Sequence, residues 1–172
     1  MDKELFRKTE GNIYRYYRFK RDIQSINNSI EYLENRIKII EEDIKNTNVT
    51  IDYYQSGIGI NERVQSSSKG TSYAEVEIIK EIERLEREHL RKTKQLMRAR
   101  AKLRDKEEFI CYMKFNIEML NEEDKMFIEL KYGDEYNIPG VARRLNLSVA
   151  TAYRKREELV ENISKFEREL MC

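Results

Sequence analysis

NIPGVARRLNLSVATAYRKREELV, residues 137–160, is the stretch on which the fold turns. It reads as two helices separated by a tight turn. Val141, Ala142 and Leu145 place apolar groups on one face of a short first helix. Ala142 is small enough to let a second helix approach closely. Asn146 tolerates the left-handed backbone that ends a helix. Leu147 turns back into the pair, and Ser148 is a good N-cap for the second helix. Ala152, Leu159 and Ile163 continue an inward stripe at spacings of seven and four. Val149, Ala150, Thr151, Tyr153, Arg154 and Lys155 are left on the outward face. This order fits a DNA-binding helix-turn-helix. An ordinary α-hairpin with a solvated basic face fits the same spacing, and charge separates the two. Residues 137–156 carry five basic side chains, Arg143, Arg144, Arg154, Lys155 and Arg156, and no acid, whereas the whole chain has a net charge of only +1. A local surplus inside a balanced protein marks a phosphate-facing surface.

The segment from Leu120 to Ile163 resembles region 4 of bacterial sigma factors. LNEEDKMFIELKY, residues 120–132, is similar to the opening helix of that region, with Leu120, Ile128, Leu130 and Tyr132 at its apolar positions. VARRLNLSVATAYRKREEL, residues 141–159, is similar to its helix-turn-helix. The layout, long helices first and this domain last, resembles the ArpU-like and RinA-like phage regulators of late genes. Gly140 departs from the pattern, standing where such domains usually carry Glu. Lys155 and Arg156 fall in a turn where sigma factors often place an apolar residue. The resemblance implies a phage or prophage transcription activator acting at a promoter, with double-stranded DNA as its ligand and host RNA polymerase as an open second partner.

Upstream, the apolar residues Tyr16, Phe19, Ile23, Ile26, Ile30, Leu33, Ile37, Ile40 and Ile44 alternate in steps of three and four. Such alternation is a coiled-coil seam. A second seam runs Ile78, Ile82, Leu85, His89, Lys92, Leu96, Ala99, Leu103, Ile110, Met113, Ile117 and Leu120, with polar breaks at His89 and Lys92. Residues 16–44 and 75–103 are therefore predicted as continuous helices packed together. Sequence leaves open whether they pair within one chain or between chains as a homo-oligomer. Between them, residues 46–72 hold Gly57, Gly59, Gly70 and a Ser run, which predicts a mobile loop. Residues 91–106 carry eight basic side chains and one acid. A solvated face is the plain reading of that run, and contact with flanking phosphates is the sharper one.

Composition excludes several classes. Charged residues make up 38% of the chain, apolar residues 40%, and there is one Pro and no Trp, which suits long exposed helices. Cys111 and Cys172 cannot build a disulfide framework, so a reducing cytoplasm is expected. No run approaches the ~18 apolar residues of a membrane span. His89 is the sole histidine and has no ligand-spaced neighbour, so no metal is expected. No phosphate-binding glycine motif occurs, and neither a cofactor nor an enzymatic activity is expected.

The expected architecture is all-α: a helical hairpin or coiled coil over 1–115 and a sigma region 4-like helix-turn-helix domain over 116–172. Val149, Ala150, Thr151, Tyr153 and Arg154 are the expected base-contacting residues. Arg143, Arg144, Ser148, Lys155 and Arg156 are the expected phosphate contacts. Two other classes fit the same layout. One is a DNA-binding assembly protein for genome packaging, like a small terminase subunit. The other is a coiled-coil adaptor of RNA polymerase that binds no DNA.

Overall fold

Both long helices run further than the heptad seams alone require. In the computed structural model, which describes residues 2–49 and 73–169, helix α1 runs Lys3–Lys45 and helix α2 runs Tyr73–Glu118. No proline interrupts either, since Pro139 is the one proline of the chain. Three shorter helices follow: α3 over Glu122–Ile128, α4 over Ile138–Arg144 and α5 over Val149–Glu169. Among the described residues there is no strand. The mobile loop expected over 46–72 lies, from residue 50 onward, outside the described residues. Ahead of it, Thr47 takes a left-handed φ of 52° and Asn48 N donates to Asp43 O, which closes the end of α1.

The chain divides into two compact units, residues 27–101 and residues 1–26 with 102–172. In the first, α1 and α2 lie antiparallel within the chain. Leu33, Ile40 and Leu85 are buried on the seam, and Ile30, Ile37, Ile44, Ile78, Ile82 and Leu96 are half-buried beside them. The two polar seam positions find partners on α1. His89 Nε2 lies 2.9 Å from Glu41 Oε1, and Lys92 Nζ sits 5.7 Å from the ring centre of Tyr32. Arg36 pairs with Glu88 at 3.2 Å and Arg100 with Glu34 at 2.6 Å. These exposed or half-exposed pairs fix register more than they stabilise.

The second unit corrects the expected boundary at 115/116. Ile13, Tyr16 and Tyr17 of α1 and Met113 and Ile117 of α2 are buried in one cluster with Phe127, Ile128, Tyr132, Val141, Ala152, Leu159, Val160 and Ile163. No linker separates hairpin from C-terminal helices, because Leu120 at the end of α2 belongs to that same core. Along the contact between α1 and α2 in this unit, Phe19 meets the Phe109 ring edge-on at 5.4 Å. Lys106 occupies an inward position there. It is held by Asp22 at 2.5 Å and lies over the Phe19 ring at 3.8 Å.

Local chemistry sets each short helix. Asn121 caps α3 by accepting from Asp124 N at 2.9 Å. A π-helical turn, Glu129–Gly133, follows α3 and buries Tyr132. A Cβ at Gly133 would stand 3.0 Å from the Tyr17 ring and 2.8 Å from Glu129 Oε1, so both neighbours would have to shift to admit a side chain. Arg21 secures the next segment by donating to Gly133 O at 3.3 Å and to Glu135 Oε1 at 2.7 Å. Asn137 caps α4 by accepting from Gly140 N at 2.8 Å, with Pro139 in the first turn, where a missing N–H is harmless.

Candidate nucleic-acid interface

The turn between α4 and α5 forms as its residues require. Asn146 has φ 53°, and Leu147 N donates to Ala142 O at 2.8 Å, the six-to-one bond of a Schellman ending. Ser148 Oγ accepts from Thr151 N at 3.0 Å and so caps α5. Val141, Ala142, Ala152, Leu159 and Ile163 are all buried, as the inward stripe requires. Val149, Ala150, Thr151, Tyr153 and Arg154 are all exposed. Ser148 is exposed too, but its hydroxyl is shared with the Thr151 hydroxyl at 2.7 Å.

The five cations of this stretch do not act alike. Arg143 and Arg154 are exposed and have no ion pair among the described residues. Arg144 is exposed but held: its guanidinium lies 4.2 Å from the ring centre of Tyr136 and donates to the Tyr136 hydroxyl. Lys155 and Arg156 are placed differently from the phosphate contacts expected of them. Lys155 Nζ is 2.7 Å from Asp124 Oδ1 and points at the first turn of α3. Arg156 makes a two-pronged bond to Glu10 of α1, Nε to Oε1 and Nη2 to Oε2, each at 2.7 Å. Both are only about a quarter exposed, at 24% and 25%. They serve as internal clamps because the buried side of α5 faces α3 and α1 at their level.

Glu10 is the centre of the second clamp. Tyr132 donates its hydroxyl to Glu10 Oε1 at 2.9 Å, and Arg156 also lies 5.0 Å from the Phe6 ring centre. Burial on its own would push the Glu10 carboxyl up. The hydrogen bonds from Arg156 and Tyr132, with the charges of Arg156 and Lys131, outweigh burial and hold it below its ordinary value. Burial and the adjacent Glu10 charge push the Tyr132 hydroxyl up, so it stays a donor. The bond to Glu10 likewise raises Arg156, which stays charged.

What remains outward is a patch made by the first turns of α5 and the end of α4: Thr151, Tyr153 and Arg154, with Arg143 behind them. Beyond these turns α5 turns acidic at Glu157, Glu158 and Glu161, ahead of Lys165 and Arg168. Sequence reading identified these residues. It missed Glu10, Asp124 and Tyr136, which decide which cations stay free. Of these three only Tyr136, eight residues before Arg144, is close enough in sequence to have signalled its role. Among the described residues no group of acidic, His or Cys side chains could hold a metal ion, and no helix is long and apolar enough to cross a membrane. Comparison with protein-family models, with curated proteins and with solved structures finds no match to this chain.

Proposed function

We propose that this chain is a sequence-specific DNA-binding transcription regulator, and that the first two turns of α5 enter the major groove. The observation that carries the reading is the capped α4–turn–α5 pair with Thr151, Tyr153 and Arg154 outward and Arg154 without an acidic partner among the described residues. A free guanidinium at the start of a helix fits the two acceptors of guanine, and Thr151 and Tyr153 add hydroxyls that reach base edges. Arg143 lies on the preceding helix and suits a phosphate. The resemblance to sigma region 4 and to phage late-gene regulators, borne by residues 120–163, gives the finer form: an activator that meets RNA polymerase at a promoter. Selection of bound duplexes from a random pool by the full chain tests the reading. A single enriched motif is expected. Recovery of no motif, with every duplex retained equally, sinks sequence specificity.

A further inference from the structure

The unit 27–101 carries a row of cations that its own fold does not use. On α2, Arg87, Arg91, Lys94 and Arg98 follow at steps of four, three and four. At about 100° per residue they fall within an arc of roughly 60°, centred about 150° from the Leu85–Leu96 seam. The row thus points away from α1. All four side chains are exposed and none has an ion pair among the described residues. Their neighbours behave otherwise: Arg84 pairs with Glu81 at 2.5 Å and Arg100 with Glu34 at 2.6 Å. A shallow groove runs along the row between Arg87, Leu90, Arg91, Lys94, Gln95 and Arg98.

The sign pattern changes abruptly along α2. Up to Glu88 acids and bases are interspersed, with Glu75, Glu77, Lys80, Glu81, Glu83, Arg84, Glu86 and Arg87. From there to Asp105 no acid occurs. Helix faces that choose a partner helix mix signs to fix register, as the flank of α1 beside α2 does with Glu31, Glu34, Lys38, Glu41 and Lys45, of which Glu34 and Glu41 reach Arg100 and His89. A row of one sign suits a partner whose charge is uniform and dense. Duplex DNA is such a partner, with one charge per about 1.7 Å of axis, and the row extends about 16 Å. Three of the four cations are arginines, whose planar forks fit phosphate oxygens.

We infer that this face of α2 is a second DNA contact, which grips the phosphate backbone without reading sequence. The choice of DNA as ligand rests on the function proposed above. The test uses the full chain and the variant R87Q/R91Q/K94Q/R98Q. Glutamine matches Arg and Lys in helix propensity, and an unchanged circular dichroism spectrum confirms the fold. Binding to a selected duplex and to a scrambled duplex is titrated at several salt concentrations, beside R143A/R154A. The row variant should lower the salt slope by about three units on both duplexes, and weaken each by at least tenfold, while leaving their affinity ratio unchanged. An unchanged slope overturns the inference. So does a change in the oligomeric mass of the protein alone with DNA binding intact, which would make the face a protein contact. Failure of the α5 reading shows separately, as an R143A/R154A chain that discriminates the two duplexes as the parent does.

Discussion

Asn116 is fully buried, and among the described residues neither its amide nitrogen nor its amide oxygen has a hydrogen-bond partner. An unsatisfied buried amide costs stability that an apolar side chain of similar size would not. Asn116→Leu should therefore raise stability by about 1–2 kcal/mol in urea unfolding. A loss of that size would mean that the amide is satisfied in solution. Glu10 is the opposite case, a carboxylate with all its bonds made. Glu10→Gln removes the charge that faces Arg156 and should destabilise by about 2–3 kcal/mol near neutral pH. The sign of its pH dependence follows from its lowered pKa. A carboxylate depressed on folding contributes stability above its unfolded pKa, and the contribution fades as pH falls through the folded value. The gap between parent and variant should thus be widest near neutrality and close in acid, since protonated Glu10 resembles Gln. A gap that persists undiminished into acid would show that geometry, and not charge, is what Glu10 supplies.

Helix by helix, what could be read from sequence depended on how local the partner is. The α1 seam from Tyr16 to Ile44 was legible because each inward residue announces itself at a step of three or four. Phe6, Thr9 and Ile13 were not, although Ile13 and Thr9 are fully buried. The buried line takes two successive steps of three, Ile13 to Tyr16 to Phe19, and widens to include Tyr17 where α1 packs on the C-terminal helices. That break in period hides the first turns of α1. Lys106 is not legible as an inward residue, because a charge reads as solvent-facing until Asp22 and the Phe19 ring are seen to hold it. The α4–α5 turn was legible because Asn146 and Ser148 act within their own turn. Ser148→Ala should cost about 1 kcal/mol by freeing Thr151 N. Asn146→Val should cost about 1–2 kcal/mol, because a branched residue resists the left-handed backbone. Urea melts of the full chain measure both, and equal stability of the parent and Asn146→Val would contradict the turn described.

For the molecule as a whole, the consequential difference from sequence is where the C-terminal unit begins. Sequence placed a boundary at 115/116, because seam and helix-turn-helix look like separate modules. The core ignores that line. It closes only when Ile13, Tyr16 and Tyr17 arrive from α1 and Met113 and Ile117 from α2. Glu10 adds the clamp on α5. A fragment of 116–172 would strip Tyr132 of the Tyr14 ring and of Glu10, and would leave Arg156 without its carboxylate. Large buried side chains each contribute about 1.5–3 kcal/mol, and a domain this small has little margin to lose. The fragment should therefore show reduced helix by circular dichroism, poorly dispersed amide resonances, and no selective DNA binding. The double variant Ile13→Ala with Tyr17→Ala in the full chain makes the same point without cutting it. It should unfold residues 120–166 in hydrogen exchange, while the seam at Leu33, Ile40 and Leu85, which belongs to the other unit, stays protected. If protection fell equally in both places, α1 would transmit its loss along its whole length. If 116–172 folded and bound DNA unaided, the sequence boundary would be right, and the cover from α1 and α2 would add stability without being needed to form the unit.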